Sequence, residues 1–162
     1  MLIRDARQDE FAEIGDIRVT AYRADGFLPA DSRYAPRLRE LGSDGIGPVL
    51  VAADNDAILG TVMLQTWPNG GELLRSPAEA EIRALAVRPE ARGRGVGRAL
   101  VTAVVERAAS LGVTHLLLLT QPEMKVAHGI YEEAGFTRLP DRDISPEPGV
   151  ELLAYGLDLD VR

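Results

Sequence analysis

The sequence predicts an α/β fold in which helices cover one mixed sheet, and three observations support this prediction. The order of apolar runs reads as strand, helix, helix and then three strands in a meander. The run Leu116–Leu119 has no polar alternation, which is typical of a strand buried on both faces in a covered parallel pair. Strands and helices follow one another in mixed order along the chain, as in layered α/β proteins. We expect a single domain over residues 1–162.

The first half of the chain is predicted to contain two helices and four strands. Helical periodicity begins near Asp9 and fades by Arg23, and Asp31 or Ser32 can cap a second helix that ends at Leu41. The predicted strands are short β-branched or apolar runs bounded by turn residues: Leu2–Arg4, Val49–Ala53, Ile58–Trp67 and Glu81–Val87.

The second half is predicted to continue with helices between strands. Apolar residues spaced by four predict a helix that ends before Gly112: Val96, Leu100, Val104 and Ala108. A second helix is expected from Pro122 to Gly135, because proline fits the first turn and glycine a C-terminal end. The remaining predicted strands are Val113–Thr120, Phe136–Leu139 and Val150–Leu157, and Pro140–Gly149 is predicted to be a loop.

The segment RGRGVG, residues 92–97, joins the central strand to the central helix. Glycines let the backbone approach a ligand closely and adopt positive φ, and the first turn of a helix has unpaired N–H groups at the positive end of its dipole. Four arginines cluster there, although the whole chain has a net charge of −7: Arg88, Arg92, Arg94 and Arg98. The segment therefore predicts an anion site that suits a phosphate group.

Two common phosphate-binding loops do not fit this segment. A Walker loop needs Gly-Lys followed by Ser or Thr, which the segment lacks. A dinucleotide fingerprint needs Gly-x-Gly-x-x-Gly, but counting from Gly93 or Gly95 puts Arg98 or Leu100 at the third glycine position. The next strand also ends in Gln121, without an acidic ligand for a ribose, so a dinucleotide-binding domain is disfavoured.

Composition narrows the remaining classes of function. Hydrophobic residues make up 46% and charged residues 27%, as in ordinary soluble proteins, and the acidic charge disfavours nucleic-acid binding. The absence of cysteine excludes a disulfide framework and an acyl-cysteine intermediate, and two histidines far apart in sequence make only a weak case for a metal site. Without a signal-peptide core or an apolar run near the ~20 residues of a membrane span, we expect a cytoplasmic protein with no membrane partner.

Two segments match one family pattern. Residues 85–97, LAVRPEARGRGVG, contain Arg92, Gly95 and Gly97 in the spacing Arg/Gln-x-x-Gly-x-Gly/Ala, and residues 127–136 are AHGIYEEAGF. The first resembles the acyl-CoA loop of the Gcn5-related N-acetyltransferase (GNAT) family, and the second is similar to its Ala-x-x-x-Tyr-x-x-x-Gly-Phe segment. The resemblance implies a mixed sheet of about seven strands, with strands 4 and 5 splayed to admit pantetheine, flanked by about four helices.

The resemblance also implies an activity: transfer of an acetyl group from acetyl-CoA, a co-substrate, to an amine of a small molecule or peptide by direct attack in a ternary complex, without a metal. The backbone N–H of Leu85 would stabilise the oxyanion, Val87 would hold the pantetheine arm, and the Tyr131 hydroxyl would protonate the departing sulfur. The predicted acetyl-CoA ligands are Leu85, Val87, Arg92, Gly93, Arg94, Gly95, Val96, Gly97 and Arg98.

Each of these roles has a structural alternative. The two N–H groups could simply pair in the sheet, and Tyr131 could be a core aromatic whose hydroxyl has a backbone partner. Many relatives carry an asparagine seven residues before this tyrosine, where this chain has Met124. Because methionine has no amide group, the polar contacts that this asparagine makes with the pantetheine arm in relatives are not expected from Met124.

Glu81 is the predicted base that removes a proton from the amine. It shares strand parity with Arg83, Leu85 and Val87, so we expect it on the side of the reacting carbonyl. Partial burial there would raise its pKa toward a useful value. A structural ion pair with Arg83 is the alternative role, and Glu79 is the second choice of base.

The acceptor pocket follows from the resemblance alone, which places it between the first two helices and the loop that joins the sixth and seventh strands. The candidate residues are Tyr22, Phe27, Tyr34 and Trp67, with Asp141 and Asp143 as partners for an ammonium group; all also fit ordinary core or surface positions. A homodimer is expected from the resemblance only. The alternative function is a non-catalytic acyl-CoA-binding or sensing module, against which Glu81 and Tyr131 argue.

Overall fold

A computed structural model of the chain describes residues 1–29, 32–69 and 73–159. The strands within these residues are β1 Leu2–Asp5, β2 Val49–Asp54, β3 Ala57–Thr66, β4 Glu79–Val87, β5 His115–Thr120, β6 Thr137–Arg138, β7 Ile144–Glu147 and β8 Val150–Asp158. The α-helices are α1 Phe11–Ala24, α2 Ala35–Glu40, α3 Val96–Ser110 and α4 Lys125–Glu133. Short 3-10 helices lie at Gln8–Glu10, Pro89–Ala91 and Pro140–Arg142.

The described strands form one mixed sheet in the order β1-β2-β3-β4-β5-β8-β6, and β7 pairs with β8. The β4–β5 pair is parallel and the other pairs are antiparallel, which confirms the predicted α/β fold class. The prediction of a loop over Pro140–Gly149 is wrong in part, because β7 lies inside it. Pro146 hides this strand in the sequence, although an edge strand that pairs with β8 alone tolerates a proline.

The helices cover both faces of the sheet. Leu100 and Val104 of α3 pack with Ile82 of β4 in one core. Ile14 and Ile17 of α1 pack in another core, with strand residues that point to the opposite face of the sheet. Each such side chain, when fully buried, contributes about 1.5–3 kcal/mol. No helix within the described ranges is long and apolar enough to cross a membrane.

β5 is buried on both faces, as its run of leucines predicts. Leu116 and Leu118 join the core under α3, whereas Leu117 packs on the opposite face with Leu73 and Leu74. The parallel partner expected for such a strand is β4.

Two helices begin later than the sequence suggests. α2 starts at Ala35, and the Ser32 hydroxyl accepts a hydrogen bond from the Tyr34 N–H at 3.1 Å in the preceding turn; Asp31 lies outside the described residues. α4 begins at Lys125 rather than at Pro122. In both cases the sequence signal marks the turn that leads into the helix rather than its first residue.

β4 and β5 separate halfway along their length. They pair from Glu79 opposite His115 to Ile82 opposite Leu118, and the remaining residues of β4 have no partner in β5. The end of β5 pairs only with β8. The predicted splay between strands 4 and 5 is therefore confirmed.

A β-bulge interrupts β4 at the start of the splay. Thr61 pairs with Ala86 and Met63 pairs with Arg83, so that two residues of β4, Ala84 and Leu85, lie opposite a single residue of β3. Ala84 has a φ of 55°, in the left-handed region that residues other than glycine seldom adopt.

The bulge reverses the side-chain parity of β4. Before it, Ile82 packs in the core under α3, so its neighbours Glu81 and Arg83 face α1 and α2. After it, Leu85 and Val87 pack against the core under α3. The prediction that Glu81 shares a face with Leu85 and Val87 is therefore wrong.

Candidate active site

A cavity of about 800 Å³ opens where β4 and β5 separate. Its walls come from the end of α1, from β4 after the bulge, from the first turn of α3 and from α4. Many of the residues predicted to form the site line it: Tyr22, Phe27, Leu85, Val87, Arg92, Gly93, Gly95, Val96, Gly97, Arg98 and Tyr131.

The first turn of α3 presents unpaired N–H groups to this cavity. Gly95 is the N-cap residue with a φ of 77°, and its carbonyl accepts the first helical hydrogen bond, from Ala99. No side chain caps the helix, so the N–H groups of residues 96–98 have no partner within the described parts of the chain. These donors and the helix dipole form a cradle for an anion.

Gly97 allows α3 and α4 to approach each other beside the cradle. A Cβ at this position would lie 3.0 Å from Cδ1 of Ile130 in α4, tighter than most such contacts. By contrast, a Cβ at Gly93 or Gly95 would meet nothing within 4 Å, so those two glycines face open space. The loop thus combines a close helix contact on one side with an accessible backbone on the other.

The arginines of the loop are all paired with carboxylates. Arg92 makes two contacts with Asp25, at 2.6 and 2.8 Å, and Arg98 lies 2.8 Å from Glu133. Exposed pairs of this kind contribute only about 0–1 kcal/mol, so a phosphate can replace the carboxylates. Arg94 pairs with Asp54, the last residue of β2, at 3.4 Å and does not line the cavity, so its role as a phosphate ligand stays a prediction.

The N–H groups of Leu85 and Val87 are available to a ligand. The N–H of Arg88 donates to the carbonyl of Leu59 in β3 at 2.9 Å. Because successive N–H groups of a strand point to opposite sides, those of Leu85 and Val87 point toward the gap. β5 offers them no partner among the described residues.

Tyr131 packs in the core under α3 and also lines the cavity. The ring packs edge-on against Phe136 at 5.8 Å between centroids, and the residue is 6% exposed. Within the described ranges its hydroxyl has no hydrogen-bond partner, contrary to the core alternative. Burial raises its pKa, so the hydroxyl is protonated at neutral pH and can donate.

Glu81 is buried on the opposite face of β4, and it does not line the cavity. Burial raises the pKa of its carboxyl to about 7, and the charge of Arg83 opposes this rise. Nε of Arg83 lies 4.0 Å from the carboxylate, beyond hydrogen-bond distance, so the two do not form a tight ion pair. Near neutral pH the carboxyl is present in both protonation states, as a proton acceptor requires.

Two other predicted carboxylates are held in structural ion pairs. Glu79 accepts hydrogen bonds from Arg142 at 2.9 and 3.0 Å, which lower its pKa, so it is not suited to act as the base. Asp143 accepts two hydrogen bonds from Arg138, at 2.7 and 2.8 Å, and one from the N–H of Ala154. Asp143 therefore has little capacity left to bind an ammonium group.

The Glu79–Arg142 pair makes a testable contribution to stability. Both side chains are about nine-tenths buried, so Arg142→Met is expected to lower the free energy of unfolding by about 3 kcal/mol at pH 7. Because the pKa of Glu79 is lowered in the folded state, this loss should shrink as the pH falls below the ordinary carboxyl range. Urea unfolding at pH 7 and pH 3.5 measures both effects.

Arg107→Met is the matched control, because Arg107 pairs with Asp5 on the exposed surface. This change is expected to cost at most about 1 kcal/mol. Equal losses in the two variants would contradict a special contribution of the buried pair.

The predicted acceptor residues fall in three places. Tyr22 and Phe27 line the cavity, and Tyr34 lies on the same face as Glu81, where its hydroxyl accepts a hydrogen bond from Arg83 at 3.0 Å. Trp67 follows β3, whose end pairs with the start of β4, and it lines a separate groove. Since antiparallel pairing carries Trp67 away from the splay, its predicted place in the acceptor pocket is corrected.

Sequence reasoning missed two residues of the face that carries Glu81. Arg18 of α1 is fully buried, and Gln65 of β3 accepts a hydrogen bond from Arg83 at 2.9 Å. Arg18 follows Ile14 by four positions on the apolar side of the helix, which is a detectable signal. Met124 lines the cavity and its sulfur accepts a long 3.6 Å contact from Thr120, in place of an asparagine amide.

Comparisons with known proteins agree with this architecture. A model of the acetyltransferase (GNAT) family matches residues 10–136. An acetyltransferase of the GNAT family from Staphylococcus aureus Mu50 superposes with a TM-score of 0.78 at 17% identity, over 98% of this chain and 99% of that chain. The yncA protein of Salmonella typhimurium, solved with its cofactor acetyl-CoA, gives 0.70 at 20% identity, over 99% and 94%. At these identities the likeness concerns the fold alone.

Curated relatives match at higher identity over shorter stretches. A mycothiol acetyltransferase from Rhodococcus opacus is 34% identical over 126 residues, which cover 78% of this chain and 37% of the relative. One from Kocuria rhizophila is 35% identical over 85 residues, which cover 52% and 27%. The chain thus spans between about a quarter and somewhat over a third of the length of these relatives. Because the family model matches most of its length, the chain belongs to the acetyltransferase (GNAT) family, in which acetyl-CoA is the co-substrate.

Proposed function

We propose that this chain is an N-acetyltransferase that moves the acetyl group of acetyl-CoA to an amine within a ternary complex. One observation carries the proposal: a single cavity holds both the unpaired N–H groups of α3 and the free N–H groups of β4. The first set suits a pyrophosphate and the second suits a pantetheine arm that ends in a thioester. Acetyl-CoA supplies the activated acetyl group.

The first turn of α3 binds the pyrophosphate through backbone N–H groups, while Arg92 and Arg98 exchange their carboxylate partners for phosphate oxygens. The backbone N–H of Val87 donates a hydrogen bond to the pantetheine arm, as it would to a neighbouring strand. This leaves the N–H of Leu85 for the carbonyl oxygen of the thioester, where it stabilises the negative charge that develops during attack.

The proton movements fall to two side chains. In the proposed step the amine nitrogen forms a bond to the carbonyl carbon, the C–S bond breaks, and CoA leaves as the thiol. Tyr131 donates the proton that the sulfur needs, and Glu81 receives the proton that the amine loses. Glu81 acts from the face of α1 and α2, so the acceptor approaches from that face while acetyl-CoA occupies the cavity.

The absence of cysteine supports direct attack, since it removes the common route through an acyl-cysteine. A ternary complex predicts intersecting lines in two-substrate kinetics. Parallel lines, as in a ping-pong reaction, would contradict this part of the proposal.

The test measures release of the CoA thiol from acetyl-CoA in the presence of polyamines, aminoglycosides, amino acids, peptide N-termini and an acceptor of the mycothiol type. Calorimetry with acetyl-CoA runs in parallel. At least one amine is expected to raise the rate well above the background without acceptor. Tight binding of acetyl-CoA with no responding amine would favour the sensing module, and no binding would overturn the assignment of the cavity.

A further inference from the structure

The face of β4 that carries Glu81 has an excess of positive charge. The guanidinium of Arg83 donates to two neutral groups, Oε1 of Gln65 at 2.9 Å and the Tyr34 hydroxyl at 3.0 Å. Its nearest carboxylate is that of Glu81, 4.0 Å from Nε. Only two of the five N–H donors of Arg83 are therefore used within the described residues.

Arg18 adds a second positive charge to the same face. Its side chain is fully buried, and Nη1 donates to the carbonyls of Leu38 and Leu41 at 3.0 and 2.8 Å at the end of α2. Nε and Nη2 have no partner in the part of the chain that the structure describes. Burial lowers the pKa of Arg18 to about 10, so the group remains charged at neutral pH.

Both guanidinium groups act electrostatically on a residue of the cavity wall. Burial raises the pKa of Tyr22 to about 12, and the positive charges of Arg18 and Arg83 act against that rise. Tyr22 lines the cavity, so the charges of the two arginines act on one of its wall residues. A ligand that binds beside Tyr22 therefore experiences the positive electrostatic potential of Arg18 and Arg83.

This lack of a close carboxylate contrasts with nine other described arginines, each of which is paired with a carboxylate at 3.4 Å or less: Arg4, Arg39, Arg88, Arg92, Arg94, Arg98, Arg107, Arg138 and Arg142. Arg7, Arg33, Arg37 and Arg75 are exposed to solvent, whereas Arg18 is buried and Arg83 is half-buried. The chain has seven more acidic than basic residues, so carboxylates are not scarce. A desolvated cation without a counterion is unfavourable, and an anionic ligand removes that penalty when it binds.

We propose that the acceptor is an amine that also carries a carboxylate, and that Arg83 binds this carboxylate. The inference rests on the proposed N-acetyltransferase function. Glu81 and Arg83 point from the same face of one strand, with charged atoms 4.0 Å apart. A molecule whose amine and carboxylate are separated by a few bonds, such as an amino acid, can contact both at once.

The chemistry of arginine fits this role. A guanidinium offers paired N–H groups that match the two oxygens of a carboxylate, and the spare donors of Arg83 are available for them. Tyr34 is exposed to solvent, so the carboxylate can reach Arg83 from the side where Tyr34 lies. Arg18 remains behind, where its charge stabilises the bound anion without contact.

The experiment compares amino acids with their amides and with the corresponding decarboxylated amines, with kcat/KM corrected to the concentration of free amine. The carboxylated acceptor is expected to be preferred on the order of 100-fold. Peptides that begin with Asp or Asn form a second arm, which separates a free amino acid from a peptide N-terminus as the source of the carboxylate. Equal use of acids and amides would overturn the inference while leaving the acetyltransferase function intact.

Arg83→Gln is expected to remove this preference, lowering kcat/KM for the acid on the order of 100-fold and bringing it close to that of the amide. Arg37→Gln, an exposed position on α2, is the control with the same change in charge and should retain the preference. Equal losses for acid and amide in Arg83→Gln would contradict a role in carboxylate binding.

A measurement on the unmodified protein keeps the test valid if Arg83→Gln fails to fold. An analogue of the preferred acceptor that keeps the carboxylate but lacks the amino group is expected to inhibit the reaction. The inhibition should be competitive with the acceptor and not with acetyl-CoA. Absence of inhibition at concentrations well above the KM of the acceptor would overturn the inference. If no amine of any class is acetylated, the proposed function itself fails.

Discussion

Tyr131→Phe is expected to lower kcat by about 100-fold or more while the Kd for acetyl-CoA changes by no more than about threefold. The change removes only the hydroxyl of a residue that lines the cavity, and it leaves the ring against Phe136. Departure of the thiolate then lacks a proton donor, whereas the contacts that bind CoA are untouched. Steady-state kinetics with a responding amine and calorimetry with acetyl-CoA provide the two measurements.

Tyr155→Phe is the matched control for this change. Tyr155 is buried in β8, donates to Glu132 at 3.4 Å and does not line the cavity. Its variant should keep the kcat of the unmodified protein. Because the Tyr131 hydroxyl has no partner among the described residues, its removal should also leave the free energy of unfolding within about 1 kcal/mol. An unchanged kcat in Tyr131→Phe would assign the residue to packing alone.

Glu81→Gln is expected to lower kcat/KM by about 100-fold at pH 7 and to change the shape of the pH profile. The unmodified enzyme should gain activity up to pH 7, where its carboxyl becomes ionised, and then level off. The glutamine variant depends on amine that has already lost its proton, so its activity should keep rising above pH 7. The deficit therefore shrinks at high pH, and parallel profiles would remove Glu81 from the role of base.

The same substitution is expected to stabilise the protein at high pH. The pKa of Glu81 is 4.5 in the unfolded state and about 7 in the folded state, because burial disfavours the ionised carboxylate. Its stabilising contribution is complete below pH 4.5 and is lost as the pH rises through 7, with a difference of about 3 kcal/mol well above both values. Glutamine is neutral throughout, so urea unfolding should favour the variant at pH 8.5 and give equal stabilities near pH 4.5.

Glu79→Gln on the same strand provides a control of opposite sign. Its carboxylate is paired with Arg142 and its pKa is lowered, so the change should destabilise the protein at pH 7. If both variants shifted stability in the same direction at high pH, burial would not be the reason for the Glu81 effect.

The parts of the site that the sequence predicted well are local in the chain. Gly95 and Gly97 lie in one short segment at the start of α3, and Tyr131 lies on the single helix α4, so a sequence motif contains them directly. Their physical roles depend on backbone N–H groups and on one helix face, both of which a motif encodes directly. The splay of strands 4 and 5 followed from the family resemblance.

The acceptor side depends on contacts between distant segments, which spacing does not encode. Ala84 adopts a positive φ although it is not a glycine, so no residue in the sequence marks the bulge. Strict alternation of side chains along β4 therefore assigned Glu81 to the wrong face. Trp67 was misplaced because antiparallel pairing, not sequence distance, decides which end of the sheet it occupies. Similarly, nothing in the loop shows that Arg94 turns toward Asp54 while Arg92 and Arg98 line the cavity.

The bulge at Ala84 has a consequence for how this protein can diversify. By reversing the faces of β4, it places Glu81 and Arg83 toward α1 and α2, and Leu85 and Val87 toward α3. Under the proposed function, substitutions on the face of α1 and α2 are expected to change which acceptor is bound without altering the first turn of α3.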